Sequence, residues 1–189
     1  IVLKIEPLVE EEFNYLIEGQ TLISTLNLPS LDKSYFEKLI AKRVTGIAFE
    51  FIEDKVGNYP VVRAMSEIAG SSVMLIAAEY LGNAMQGRGI ILGGVTGVPP
   101  TNVVIIGAGT VAEYAARAAL GLGASVKVFE KHVYRLQRLK YAVGQMVHTA
   151  YLDSNSLKKA IADADVVIAA MRAEAGGGSP MIVTEAMVQ

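Results

Sequence analysis

Cysteine and tryptophan are absent from these 189 residues, and histidine occurs only twice. Without cysteine, this stretch has no disulfides, no thiolate metal sites and no cysteine nucleophile. His132 and His148 stand outside H-E-x-x-H or any similar ligand spacing, so no metal site is expected. A surplus of one charge is missing too. Seventeen Lys and Arg against 19 Asp and Glu leave −2, which gives no pull toward nucleic acid or a membrane. No window holds eighteen consecutive apolar residues, so no transmembrane helix is expected. No basic n-region followed by an apolar run and a cleavage site is present. A reduced, cytoplasmic setting is the default expectation. The chain is 52% apolar and 19% charged, enough to bury a substantial core in one large or two small domains. It starts at Ile1 in an apparent strand, without an initiator methionine, and stops at Gln189 in an apparent helix. On that basis it reads as an internal fragment of a longer protein.

The most informative segment is Thr101 to Glu130, TNVVIIGAGTVAEYAARAALGLGASVKVFE. An apolar strand, Val103 to Ile106, runs into Gly107-x-Gly109-x-x-Ala112, and a helix follows from about Thr110 to Leu120. Gly121 and Gly123 break the chain before a second strand, Ser125 to Phe129, which ends on Glu130. Gly107 permits a tight turn, Gly109 lets backbone approach a pyrophosphate, and Ala112 allows close helix–strand packing. The first N–H groups of the helix, at Thr110 and Val111, then face the phosphates with the positive end of the dipole behind them. Glu130 stands where a carboxylate accepts hydrogen bonds from ribose hydroxyls, and a 2′-phosphate would be repelled there. NAD is therefore expected over NADP. The bland alternative is an ordinary glycine turn, with Glu130 a surface acid beside Lys131.

Around this segment the pattern is α/β: two Rossmann-like units with parallel sheets, joined by a long connector helix. Residues 1–60 offer strands at Ile1 to Ile5, Thr21 to Leu26 and Thr45 to Glu50. Helical spacing falls between them at Leu8 to Glu18 and Leu31 to Lys42. Leu31, Tyr35, Leu39 and Ile40 share a face, and Pro29-Ser30 makes a good helix start. This first part reads as part of an α/β domain, too small to look complete. Asp54 to Pro60 is a polar turn, and Arg63 to Gly82 a long helix. A boundary near residue 60 leaves 61–189 as the dinucleotide domain. After Glu130 the expected elements are a helix at His132 to Val143, a strand at Gln145 to Leu152, a helix at Ser156 to Ala162 and a strand at Asp165 to Met171. Arg172 to Ser179, with Gly176 to Gly178, is a loop at the ligand-binding edge of that sheet. Met65, Met74 and Met85 read as core and gap fillers, and His148, within a strand pattern, as a structural histidine rather than a base. Arg135, Arg138 and Lys140 read mostly as a solvated helix face.

Several separated motifs together resemble the alanine dehydrogenase and pyridine-nucleotide transhydrogenase family. They are Met65-Ser-Glu-Ile-Ala-Gly70, Gly87-x-Gly89-x-x-Leu92-Gly-Gly-Val-x-Gly-Val-Pro-Pro100, the glycine turn with Leu120-Gly-Leu-Gly-Ala124 after it, and Thr184-Glu-x-Met-Val188. The resemblance is nearer to alanine dehydrogenases. It implies two Rossmann-like domains, with residues 1–60 part of the substrate domain, and reversible oxidative deamination of L-alanine to pyruvate and ammonia with NAD in a homo-oligomer. No nucleic-acid or membrane partner is expected from the charge and hydropathy above. For the cofactor it implies Gly107, Ala108, Gly109, Thr110, Val111 and Ala112 as the phosphate loop, with Glu130 in place of the usual aspartate. Arg135 would lie near the adenosine end, Ser66 near the nicotinamide half, and Ala170 and Met171 over the cofactor. Ser66 alternatively caps the connector helix.

For the substrate, the family's Lys-Val-Lys-Glu-Pro segment is matched by Leu3-Lys4-Ile5-Glu6-Pro7, leaving Lys4 as the candidate for the carboxylate. The family's Leu-His-Leu segment is matched by Leu26-Asn27-Leu28. Asn27 can donate a hydrogen bond to a carbonyl oxygen but cannot shuttle a proton. It also suits a turn before Pro29. The family's N-terminal arginine and downstream aspartate are expected outside this stretch. Two readings stay open: an amino-acid dehydrogenase, or a non-catalytic or transhydrogenase-type NAD(H)-binding module that works with a partner.

Overall fold

The computed structural model describes residues 1–28, 30–171 and 181–188. Pro29 and residues 172–179, where a loop with a glycine run is expected, lie outside the described residues. The chain divides into two compact units, Ile1–Met65 and Ser66–Gln189.

The first unit is a parallel sheet of β1 (Val2–Leu3), β2 (Thr21–Ser24) and β3 (Thr45–Ala48), in that order. Pairing past β1 continues as single bonds, Lys4 N–H to Ile23 O at 2.9 Å and Thr25 N–H to Ile5 O at 3.4 Å. The expected helix at Leu8 to Glu18 is instead a six-residue 3₁₀ turn, Glu10–Tyr15. Residues three apart eclipse in that geometry, so Phe13 and Leu16 both enter the core. Helix α1 (Lys33–Ala41) starts later than expected, with Asp32 as its N-cap residue. Tyr35 and Leu39 are buried and Leu31 is partly so, but Ile40 is exposed, because the next position round the helix from Leu39 already faces water. The core is Leu8, Phe13, Leu16, Leu22, Leu26, Tyr35 and Leu39. Phe13 meets Tyr35 edge to face at 5.1 Å, and the Tyr35 hydroxyl accepts the Leu8 N–H at 3.1 Å.

Helix α2 (Pro60–Leu81) begins with proline in the first turn, where a missing N–H costs nothing. Ser66 is therefore interior to the helix and does not cap it. By length and composition α2 could cross a bilayer, the one such helix among the described residues. Its Gly70, Met74 and Leu81 are buried in the second unit, while Met65, Ile68, Leu75, Ile76 and Tyr80 are exposed. Of the three expected methionine fillers only Met74 is core; Met65 and Met85 are exposed, and an unbranched side chain at a helix surface or turn has nothing to fill. Gly70 explains one motif residue. A Cβ there would lie 2.5 Å from Val111 O and 2.8 Å from Tyr114 Cβ, so only glycine allows α2 this close to the next helix.

The second unit is a four-stranded parallel sheet of β4 (Asn102–Ile106), β5 (Ser125–Glu130), β6 (His148–Tyr151) and β7 (Val166–Ala169), in the order β6-β5-β4-β7. That is the order of one half of a doubly wound sheet, with its switch point between β4 and β7. The helices are α3 (Thr110–Gly121), α4 (Val133–Val143), α5 (Ser154–Ala162) and the short α6 (Glu185–Val188). Alternate residues of β4 serve two cores. Val103 and Ile105 meet Met74, the α3 alanines Ala112, Ala115, Ala116 and Ala119, and Leu136 and Leu139. Val104 and Ile106 meet Phe129 and Leu157 on the other face. A parallel sheet covered on both sides explains the continuous apolar run in β4. His148 is exposed at the start of β6, an edge strand of the described sheet.

Candidate functional site

The carboxyl edge of the second sheet brings most of the cofactor candidates together. β4 ends at Ile106, and Gly107 turns with φ +109°. A Cβ at Gly107 would lie 2.5 Å from Ala170 O and 3.0 Å from Met171 Cγ. Glycine is thus required both by the backbone angle and by the close passage of the chain after β7. Ala170 N–H bonds Ile106 O at 2.8 Å, which fixes Ala170 and Met171 beside the turn. Gly109 differs. It has ordinary backbone geometry, and a Cβ there would meet nothing within 4 Å. The space above Gly109 is open among the described residues. Among the described residues no side chain caps the α3 start at Thr110, where the first N–H groups of the helix carry the positive end of its dipole. Ala112 is fully buried against the sheet.

Glu130 is no surface acid: its side chain is 3% exposed. Its Oε2 accepts the Ala108 N–H at 3.2 Å and its Oε1 accepts the His132 N–H at 3.1 Å. Arg135 Nη1 lies 3.9 Å from Glu130, and its Nε bonds the Tyr134 hydroxyl at 3.1 Å. Arg138, expected on a solvated face, instead donates from Nη2 to Ala108 O at 3.1 Å. Its position in the α4 sequence gave no hint of this reach. Ser66 is half-buried in α2. The next residue, Glu67, accepts a bond from Tyr114; partial burial first, and this bond second, push the Tyr114 phenol upward. A cavity of about 340 Å³ lined by Asn102, Ser125, Lys127, His148 and Asp163 opens at the opposite, amino-terminal edge, away from these groups.

In the first unit, Lys4 follows β1 and Asn27 follows β2, both at the carboxyl edge of their sheet. Lys4 Nζ is committed to Glu12 and to Pro7 O, the latter at 3.2 Å. The Lys4 bond, then the Val9 N–H, hold the Glu12 carboxyl below its ordinary value. Asn27 is exposed, with φ +37°, and its carbonyl accepts the Ser30 N–H at 2.8 Å. Asparagine tolerates that region better than most residues. Glu50, after β3, carries no motif and sequence reasoning passed over it. Its Oε1 accepts the N–H groups of Leu26 and Asn27 at 2.9 and 2.8 Å, so it sets the shape of the Asn27 turn. Its second oxygen is buried without a partner among the described residues.

A parallel α/β chain with a glycine turn at a doubly wound switch point defines a class of nucleotide-binding-type folds. Within that class the chain belongs to the alanine dehydrogenase/PNT family: residues 1–69 match the N-terminal domain of that family and residues 73–189 the C-terminal domain. It is 37% identical over 188 residues to an alanine dehydrogenase of Mycolicibacterium smegmatis, covering 100% of this chain and 50% of that protein. A solved L-alanine dehydrogenase superposes with TM-score 0.88 at 34% identity, over 98% of this chain and 51% of the other. A transhydrogenase from Sinorhizobium meliloti shares the fold, with TM-score 0.78 at 19% identity, over 98% and 54%. The chain spans about half the length of the curated relatives it matches.

Proposed function

We propose that this chain carries the NAD-binding unit and part of the substrate-binding unit of an NAD-dependent dehydrogenase that interconverts L-alanine with pyruvate and ammonia. The observation that carries the reading is the buried Glu130 carboxylate bonded to the phosphate-loop backbone at Ala108. An acid so fixed at the end of β5 is directed at the adenosine ribose. The residues present fit a dinucleotide. Gly109 leaves open space where a pyrophosphate would lie, and the uncapped α3 start supplies N–H donors through Thr110, Val111 and Ala112. Arg135 lies at the adenosine end, Ser66 toward the nicotinamide half, and Ala170 and Met171 flank the turn. A bound NAD would supply the hydride acceptor for the substrate carbon.

The chain's own substrate residues do less than a histidine site would. Asn27 donates a hydrogen bond to the substrate oxygen and orients it, but takes no proton. Lys4 holds the substrate carboxylate by sharing or releasing Glu12. A cytoplasmic homo-oligomer belongs to the same proposal; the exposed apolar residues of α2 suit association with more protein.

Asn27 also favours a second reading, a transhydrogenase-type or non-catalytic NAD(H)-binding subunit. Steady-state assay of the full-length protein with L-alanine, other small amino acids, NAD and NADP separates the two. NAD reduction dependent on L-alanine supports the dehydrogenase. Tight NADH binding with no turnover of any amino acid supports the second reading.

A further inference from the structure

The polar groups of Ala108 are held from two directions. Its N–H is bound by Glu130 at the end of β5, and its carbonyl by Arg138 from α4. These bonds belong to successive peptide planes. The carbonyl of Ala108 and the N–H of Gly109 share one plane and point in opposite directions. A guanidinium on the Ala108 carbonyl therefore turns the Gly109 N–H away from α4, and glycine at 109 offers little steric resistance to a flip of that plane. The flanks of the turn are tied separately, by Gly107 N–H to Phe129 O at 2.7 Å and Glu113 N–H to Gly109 O at 3.0 Å. Of the bonds described around the turn, Arg138 supplies the one that fixes the plane carrying the Gly109 N–H.

We propose that Arg138 is a positioning residue for the dinucleotide: it locks the Ala108–Gly109 peptide so that the Gly109 N–H faces the pyrophosphate. Arg138, rather than Arg135, is the basic side chain of α4 on which dinucleotide affinity depends. Arg135 is directed to Tyr134 and, at longer range, to Glu130, and 45% of its side chain is exposed. The proposal rests on the dinucleotide reading given above. Isothermal titration of the full-length protein with NADH and with ADP-ribose tests it, using wild type, Arg138→Leu, Arg138→Lys, Arg135→Leu and Arg117→Leu. Arg117 is the control, because its Nη2 makes a comparable bond to Ala142 O at 2.5 Å, joining α3 to α4 away from the turn. Arg138→Leu should weaken both ligands about tenfold, equivalent to about 1.4 kcal/mol. Arg138→Lys should recover much of that loss, and Arg117→Leu should bind like wild type. Wild-type affinity in Arg138→Leu overturns the proposal and leaves the dinucleotide reading standing. A larger loss in Arg135→Leu, or equal losses in Arg138→Leu and Arg117→Leu, overturns it as well. A wild type that binds neither ligand overturns both.

Discussion

The two carboxyl edges of this chain are built differently. At the second sheet the backbone does the work: a positive-φ glycine, an open glycine, an uncapped helix start and a carboxylate bonded to the loop. At the first sheet the candidate groups are side chains with local partners. Lys4 is tied to Glu12, and Asn27 sits in a turn shaped by Glu50. A backbone cradle tolerates little change, because its requirements are steric. A side-chain site can lose its acid–base group and keep its fold. The first edge therefore depends on side-chain identity and the second on backbone shape.

The largest expected effect comes from breaking the backbone side of this comparison. Gly107→Val puts a branched side chain at φ +109° and into Ala170 O. Strain of about 1–3 kcal/mol should lower the melting temperature, and dinucleotide titration should show no measurable binding. Binding close to wild type would show that the turn does not form the site. Asn27→His comes next and probes the side-chain edge. Restoring an acid–base group should raise alanine turnover, toward the factor of about 10²–10⁴ that such groups supply, with KM for NAD unchanged. No gain in kcat would put the proton-transfer role elsewhere.

Glu130→Ser should relax the preference for NAD over NADP by about one to two orders of magnitude, at roughly 1.4 kcal/mol per tenfold. Competition titrations with both cofactors measure it, and an unchanged ratio would remove Glu130 as the selector. The smallest effect is at Glu12. Its carboxyl is held below the ordinary value of 4.5, so its contribution to stability is complete above that value and is lost as pH falls through the lowered one. Glu12→Gln should flatten the acid limb of the melting-temperature profile. It should also lower KM for alanine, because Lys4 is released to the substrate. A KM that does not move would argue that Lys4 has only a structural role.

Legibility in the sequence followed the same division. The strand–turn–helix–strand unit was readable because Gly107, the β4 apolar run and the α3 alanines answer to local sterics and to burial on both sheet faces. The parallel α/β class followed from the alternation. The 3₁₀ turn at Glu10–Tyr15 was not readable as such, since Leu8, Phe13 and Leu16 fit a helical pattern equally well until the sheet selects a tighter coil. Arg138 and Glu50 were missed for a related reason. Each crosses to a backbone group 30 or 23–24 residues away, and no periodicity records such a reach. Ile40, which is exposed, was misread because pattern alone does not show which side of a short helix is left to solvent.

The contrast between the two edges is tested most directly by a crystal structure of the full-length protein with NADH. The pyrophosphate should lie against the amides from Gly109 to Ala112, and the adenosine ribose hydroxyls on the Glu130 carboxylate. A dinucleotide bound elsewhere, or a ribose out of reach of Glu130, would contradict it.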